Sequence, residues 1–306
     1  MMKFRTAIFC QLLLVVVLSA ACNNKKISEP TDRFDKGIIH VSCDETFKPV
    51  IDAQVDVYQA DYPDTKIIVH YKPEADCLRD FAVDSIRMII ATRGFTENER
   101  AFMIKSLNVG PQKQTVAYDA IALVVNPMAK DSFFTMDQVR DLVAGKLKKN
   151  LIPVFDGGKA TSTVRFMLDS VLRGQNLGAN VVAAQSSEGV IDYVSKTQNA
   201  VGFIGVSWVG NQADTTQQSF LRKIRIARVE STDSSGGFVL PVQYLIYTRT
   251  YPMVRELVYT LKERHLGLGQ AFGNFLESER GQLIFKRAYL QPSITSFYVR
   301  EAELVE

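Results

Sequence analysis

The chain has 306 residues, of which 46% are hydrophobic and 23% are charged, and this composition fits one large or two medium globular domains with a substantial core. The formal net charge of +3 is too small to indicate nucleic-acid binding or a basic membrane-surface patch. The three histidines are scattered and no Cys-x-x-Cys spacing occurs, so the sequence indicates neither a metal site nor a cofactor.

The first 21 residues are typical of an export signal peptide. Two basic residues precede an apolar segment over residues 7–18, which is too short to span a bilayer. The small residues that follow end at Cys22 and resemble the lipobox of bacterial lipoproteins, although serine stands where that family usually has leucine. We expect a lipid on Cys22 and a polar tether over residues 22–36. A plain cleavage site with an incidental cysteine is the alternative.

Strands and helices alternate in the next part of the chain. A β-like run begins at Gly37, and Pro49 suits the first turn of the helix that follows it. A strand over residues 66–71, a short helix near 75–82 and a buried strand over 86–91 complete a βαβαβ pattern, which is typical of an open α/β sheet. Ligands bind beyond the carboxyl ends of the strands in such sheets. The residues at these ends are Asp44, Thr46, Phe47, Thr92 and Arg93.

Further elements follow from capping signals and hydrophobic spacing. Thr96 and Thr135 each begin a capping-box sequence that predicts a helix. Residues 199–206 are typical of a tight turn that leads into a buried strand. Two amphipathic helices are predicted at the end of the chain, over residues 251–264 and 268–279.

Two long β-rich segments, near residues 115–125 and 238–248, bracket a middle α/β block. This order predicts two lobes that are joined by two crossing strands, with a ligand cleft between the lobes. The predicted boundaries are 37–114 with 238–306 for lobe 1, and 115–237 for lobe 2.

A loop between a predicted strand and a predicted helix lies at the centre of the chain. An apolar run over residues 151–155 leads into it, and its candidate site residues are Asp156, Thr161, Ser162, Thr163 and Arg165. Hydroxyl side chains cap helix N-termini, and the same geometry favours a bound anion. Arg165 lies in the first helical turn, where a cation is unfavourable unless an anion is bound. An ordinary capped helix with a solvent-facing arginine is the alternative.

The cysteines of the remaining chain are Cys43 and Cys77. They form an even pair in a chain with an export signal, and each follows a predicted strand end. The sequence leaves two alternatives open, which are a disulfide and two buried free thiols.

Four short motifs occur in an order that resembles one family. They are Thr46-Phe47-Lys48-Pro49, the Asp156 turn with Thr161-Ser162-Thr163, the pair of Glu188-Gly189-Val190 and Ala200-Val201-Gly202-Phe203, and the segment 139–146. Over about residues 37–290 this order is similar to the phosphate-binding proteins that serve bacterial phosphate ABC transporters. The resemblance implies an α/β, two-lobed, type II periplasmic-binding-protein-like fold. It also implies a monomer that binds phosphate on the periplasmic side of the cell envelope and delivers it to a membrane permease.

The resemblance implies that Thr46, Phe47, Thr92, Arg93, Thr161, Ser162, Thr163 and Arg165 bind the ligand. Two departures affect how the anion is recognised. The family often has an aspartate acceptor after the third strand, where this chain has Thr92 and Arg93, and an arginine before the Asp-Gly turn, where it has Val154. Arginine only donates hydrogen bonds, so Asp44 or Asp156 is the candidate acceptor for a phosphate proton. A helix-cap or turn role is the alternative for each of them. Phosphate and sulfate both stay open.

Two other functions are weighed against transport. An enzyme that acts on phosphate esters lacks a Gly-x-Ser-x-Gly elbow, a phosphate-binding Gly-x-x-x-x-Gly-Lys loop and clustered carboxylates with histidines. We therefore predict that the protein is not an enzyme. A sensory or scaffold lipoprotein with the same fold is the alternative, because fold does not determine function.

Overall fold

The structure is a computed structural model that describes residues 32–294 apart from residues 109, 158–160, 212, 234–235 and 264. The predicted signal peptide, Cys22 and most of the predicted tether lie outside the described residues. Among those residues, no helix is both long and apolar enough to cross a membrane.

The described residues alternate strands with helices. The strands are β1 (Lys36–Asp44), β2 (Asp64–Lys72), β3 (Ile86–Ala91), β4 (Gln112–Val125), β5 (Phe133–Phe134), β6 (Ile152–Phe155), β7 (Val182–Ala183), β8 (Ala200–Gly205), β9 (Arg225–Ile226), β10 (Arg228–Glu230), β11 (Phe238–Val239), β12 (Val254–Leu261) and β13 (Gln291–Pro292). The α-helices are α1 (Lys48–Asp61), α2 (Glu74–Asp80), α3 (Glu97–Leu107), α4 (Met136–Val143), α5 (Ser162–Phe166), α6 (Ser187–Lys196), α7 (Thr215–Leu221), α8 (Gln243–Tyr247), α9 (Leu268–Glu277) and α10 (Glu279–Arg287). Shorter helical turns are Glu45–Phe47, Met167–Val171 and Val206–Trp208.

The main sheet has the strand order β2-β1-β3-β12-β4-β8-β6-β7. β1 pairs in parallel with β2 and β3, and β6 pairs in parallel with β7 and β8. β12 and β4 are antiparallel to their neighbours. Ligands bind beyond the carboxyl ends of parallel strands in such sheets, and the segments that follow β1 and β6 meet through a hydrogen bond from Thr46 to Asp156.

Strand β4 belongs to both halves of this sheet. Its first part pairs with β12, and its last residues, from Ile121 to Val125, pair with β8. We call the β1–β3 and β12 side the first lobe, and the β6–β8 side the second lobe. The predicted crossing strand near residues 115–125 is confirmed as part of β4. The exact residue boundaries that were predicted for the lobes stay a prediction.

The second predicted crossing strand, over residues 238–248, is wrong. The structure has the two-residue strand β11 and then the helix α8, which buries Ile246 and exposes Tyr244. Pro241 lies between the two elements and interrupts any strand.

The predicted helix over residues 251–264 is also wrong, because β12 occupies this segment. Its apolar residues are spaced as in a helix, but β12 is an inner strand and is buried on both faces over most of its length. Burial on both faces removes the polar–apolar alternation that identifies a strand. The predicted helix over residues 268–279 is present as α9, which is followed by α10.

Candidate functional site

The site begins where β1 ends. The Asp44 carboxylate caps the short turn after β1, where its Oδ1 accepts a hydrogen bond from the Thr46 backbone N–H at 3.1 Å. The carbonyl of Thr46 accepts hydrogen bonds from the Ser207 hydroxyl and from the Trp208 indole N–H. Thr46 is thus held from both sides, and its side chain is fully buried.

The central loop and the start of α5 supply three buried hydroxyls. Thr161 caps α5 by accepting from the Val164 N–H at 3.3 Å. Thr163 Oγ1 donates to Asp156 Oδ2 at 3.2 Å, and Thr46 Oγ1 from the first lobe donates to the same oxygen at 3.3 Å. Ser162 Oγ lies 3.5 Å from Thr46 Oγ1. The structure therefore brings Thr46 of the first lobe together with Ser162 and Thr163 of the second.

Arg255 is a central residue of the site that the sequence analysis missed. It lies on β12 directly opposite Asp119 of β4, and its Nε donates to Asp119 Oδ2 at 2.8 Å. Its Nη1 donates to the hydroxyls of Ser162 and Thr163, at 2.9 and 3.3 Å. Its guanidinium carbon lies 5.3 Å from the ring centre of Phe47, a cation–π contact. Asp119, the lone charge in the apolar run over residues 115–125, was a signal in the sequence, whereas its partner Arg255 lies beside Glu256 in a segment with helical spacing and was not marked in this way.

Four polar atoms of this cluster form no hydrogen bond of good geometry among the described residues, although the hydroxyls of Ser162 and Thr161 lie near enough to Asp44 and Asp156 to oppose the rise in their pKa values. The four atoms are Asp44 Oδ2, Asp119 Oδ1, Asp156 Oδ1 and Arg255 Nη2. Nη2 lies 2.8 Å from Asp119 Oδ2 but forms no hydrogen bond there. Buried polar groups are normally paired, because each unpaired one costs about 1 to 3 kcal/mol. Unpaired atoms concentrated at one place indicate a site for a polar ligand.

Burial raises the pKa of each carboxyl in this cluster. The pKa of Asp44 is raised to about 7, chiefly by desolvation and also by the nearby Glu74 charge, while Arg255 opposes the shift. Desolvation also raises the pKa values of Asp119 and Asp156. One guanidinium therefore faces three buried carboxyls, and this balance favours a ligand that brings protons.

We expect this burial to make stability fall as pH rises. The carboxyls of Asp44 and Glu45 have pKa values of about 7 in the fold and about 4 in an unfolded chain. The fold therefore binds more protons than the unfolded chain between these values, and the free energy of unfolding decreases from about pH 4 to about pH 7. A carboxyl whose pKa is lowered in the fold, such as Glu74, makes the free energy of unfolding increase with pH, but only below its unfolded pKa of about 4.

Urea unfolding of ligand-free protein across this range measures the effect. Asp44→Asn should flatten the slope by up to about 1.4 kcal/mol per pH unit, whereas Asp56→Asn, at an exposed position of α1, should leave the slope as it is. An unchanged slope in Asp44→Asn would show that the Asp44 carboxyl does not titrate in this way.

Gly205, at the end of β8, allows Thr46 and Arg255 to approach. A Cβ at this position would lie 2.7 Å from Thr46 Cγ2 and 3.2 Å from Arg255 Nη2. We expect Gly205→Ala to destabilise the protein by about 1 to 3 kcal/mol in urea unfolding, because neither neighbour has room to move. Gly110→Ala is the control, since a Cβ there meets no atom within 4 Å. Equal stability of the two variants would contradict this close packing.

Arg165 and Thr92 form a separate, fully paired network with Glu74. Arg165 Nε donates to Glu74 Oε2 at 2.5 Å, and Arg165 Nη2 donates to Thr92 Oγ1 at 2.6 Å. Glu74 Oε1 accepts from the backbone N–H and the hydroxyl of Thr92. Glu74 is only 2% exposed, and Arg165 holds its pKa below the usual range. This ion pair joins α2 of the first lobe to α5 of the second.

The structure does not bring Arg93 to either cluster. Its guanidinium donates to both carboxylate oxygens of Glu99, at 2.7 and 3.0 Å, and to the carbonyl of Gly94. Glu99 completes the predicted capping box with Thr96 at the start of α3. The charge of Arg93 is therefore satisfied at the end of that helix.

A second contact between the lobes is made by Glu45. Its two carboxylate oxygens accept from the backbone N–H and the hydroxyl of Ser187, at 3.3 and 3.2 Å, at the start of α6. A carboxylate at a helix N-terminus is electrostatically favourable.

Cys43 and Cys77 are both buried free thiols, so the disulfide alternative is not realised.

Asp32, Glu263 and His265 lie close enough for a metal ion, with ligand atoms within 4.8 Å of one another. Arg87 donates to both carboxylates, which also accept backbone N–H groups at the start of α9. These oxygens therefore already act as helix-capping and ion-pair acceptors.

The comparisons with known proteins agree with this fold. A family model described as a PBP superfamily domain matches residues 28–280, and the chain belongs to this family. The type II periplasmic-binding-protein-like fold that was predicted from the sequence is thus confirmed. A comparison with curated protein sequences gives no match.

Several solved structures have the same fold. One, described as a phosphate ABC transporter substrate-binding protein of Clostridium perfringens with bound phosphate, is 20% identical with a TM-score of 0.70 over 84% of this chain and 100% of that one. An ABC-type phosphate transport receptor of Vibrio cholerae is 17% identical with a TM-score of 0.61, over 83% of this chain and 99% of that one. The regulatory domain of Synechocystis CcmR in complex with 2-PG is 11% identical with a TM-score of 0.52, over 79% of this chain and 96% of that one.

Proposed function

We propose that this protein is the solute-binding component of an ABC-type uptake system and that it binds phosphate between its two lobes. The observation that carries the proposal is the enclosed cluster around Arg255, in which buried hydroxyls surround unpaired charged atoms. The site contains groups for binding, and we assign it no catalytic step.

Each group of the cluster has a distinct role toward the ion. Arg255 Nη2 supplies positive charge and a donor to one phosphate oxygen. The hydroxyls of Thr46, Ser162 and Thr163 come from both lobes, lie beside Arg255 and Asp156, and supply neutral hydrogen bonds. The free oxygens of Asp44 and Asp156 accept from protonated phosphate oxygens.

This acceptor arrangement provides a reason to prefer phosphate over sulfate. At about pH 8 the Asp44 carboxyl is ionised and sulfate carries no proton, so sulfate would leave both carboxylate oxygens unpaired and facing its negative charge. Leaving a buried charged group unpaired costs about 1 to 3 kcal/mol or more. Asp44 and Asp156 take the role that the resemblance assigned to an acceptor after the third strand.

The other predicted ligand residues receive different roles in this proposal. Thr161 caps α5, and the ring of Phe47 packs beneath Arg255. Thr92 and Arg165 join the lobes through Glu74, and Arg93 stabilises the start of α3. Direct contact of these residues with the ligand stays a prediction.

The remaining parts of the proposal concern the cell envelope. We place the protein on the periplasmic side as a monomer, held by a lipid on Cys22, where it delivers phosphate to a membrane permease. A sensory lipoprotein is the second candidate, because the same fold forms the regulatory domain of Synechocystis CcmR. Phosphate uptake by cells that lack this protein separates the two, since only the transport function predicts slower uptake at low phosphate.

Thermal unfolding with added anions tests the binding proposal. A ligand that binds only the folded state stabilises it by RT ln(1 + [L]/Kd). We expect phosphate to raise the Tm of the ligand-stripped protein well above the effect of equal sulfate or chloride. Equal shifts with all three salts would contradict a specific phosphate site.

A further inference from the structure

The site has more acceptor atoms than donor atoms without a hydrogen bond. Asp44 and Asp156 flank Thr46, which hydrogen-bonds to both carboxylates, and each has one free oxygen. Asp119 has its own free oxygen but holds Arg255 through the other. Arg255 Nη2 donates no hydrogen bond of good geometry, but it is ion-paired with Asp119 Oδ2 at 2.8 Å. A ligand that pairs the two flanking carboxylates must therefore bring two O–H groups.

The nearby second guanidinium does not change this balance. Arg165 is neutralised by Glu74, whose oxygens are both occupied by Arg165 and Thr92. The Glu74 charge also acts on Asp44. The charged groups around the ligand space are thus Asp44, Asp119, Asp156, Glu45, Glu74, Arg165 and Arg255, in which carboxyls outnumber guanidiniums.

We infer that the site selects the singly charged dihydrogen form of phosphate, in which Asp44 and Asp156 each accept a hydrogen bond from one of its O–H groups. Glu74 neutralises Arg165, so the charge of Arg165 does not favour the dianion. This inference rests on the proposed phosphate-binding function. Hydrogen phosphate has one O–H group and would leave one carboxylate unpaired. Its second negative charge would face three carboxyls and a single guanidinium that already pairs with Asp119.

The proton balance of binding tests the inference directly. At about pH 8 most phosphate in solution is the dianion, so a complex with the dihydrogen form must take up a proton. Calorimetric titration of the purified, processed protein with inorganic phosphate, in buffers of different ionisation enthalpy, measures this number. We expect uptake of about one proton per phosphate bound. Binding with no proton uptake would overturn the inference, whereas no phosphate binding at all would overturn the proposed function.

Three variants test which residues cause the proton uptake on phosphate binding. Asp44→Asn replaces one acceptor by an amide donor and should reduce the proton uptake towards zero while phosphate still binds. Glu74→Gln should also reduce it, because the freed charge of Arg165 then tolerates the dianion. Asp169→Asn is the matched control, since Asp169 contacts the same guanidinium but is exposed, and its uptake should equal that of the wild type. Unchanged uptake in Asp44→Asn, or an equal reduction in Asp169→Asn, would overturn the assignment.

Discussion

Arg255→Gln is expected to lower the affinity for phosphate by about a thousandfold. Truncating one partner of a buried, hydrogen-bonded charge pair costs about 2 to 5 kcal/mol, and Arg255 is the buried guanidinium of the described cluster. Its loss also removes the donor to Ser162 and Thr163. Calorimetric titration with phosphate measures the change.

The control for Arg255→Gln must separate binding from stability. The single change leaves Asp119 buried without its partner, which destabilises a fold by about 3 to 5 kcal/mol. The double variant Arg255→Gln with Asp119→Asn removes both charges and should fold while still failing to bind. Arg228→Gln, at an exposed arginine, should bind as the wild type does. Tight phosphate binding by the folded double variant would exclude Arg255 as the ligand's cationic partner.

Asp44→Asn is expected to reverse much of the preference for phosphate over sulfate. At about pH 8 the Asp44 carboxyl is ionised, since its pKa is about 7, and it repels an anion that has no proton. The asparagine amide donates instead, so sulfate should gain at least about tenfold in affinity, while phosphate loses about as much. Competition titration with both anions measures the ratio.

Asp56→Asn supplies the same chemical change at an exposed position of α1 and should keep the wild-type ratio. The wild-type protein should itself bind sulfate more tightly as pH falls through 7, because protonated Asp44 then becomes a donor. A phosphate-to-sulfate ratio that is the same in Asp44→Asn and the wild type would contradict the acceptor role.

Rules that use only the local sequence predict the parts of the site that lie near strand ends. Thr46 follows β1, and Ser162 and Thr163 follow the loop after β6, so the general position of ligands in α/β sheets predicts that they meet. The capping boxes at Thr96 and Thr135 form as predicted, because each depends on contacts within four residues.

The partners of charged residues could not be predicted in the same way. Arg255 and Asp119 are far apart in the chain and meet only through the pairing of β12 with β4, and β12 has the hydrophobic spacing of a helix. Glu74 lies in a short helix with no motif, yet it pairs with Arg165, which the sequence assigned to an anion. Electrostatic partners that are set by strand order require the tertiary structure.

Calorimetric titration of the ligand-stripped protein with phosphate at about pH 8, where the Asp44 carboxyl is ionised, is the most direct test of the central claim. The cluster around Arg255 predicts one phosphate bound per chain, much weaker sulfate binding, and loss of phosphate binding in the folded double variant of Arg255 and Asp119. A folded wild-type protein that binds neither anion would contradict the claim and would favour the sensory or scaffold function.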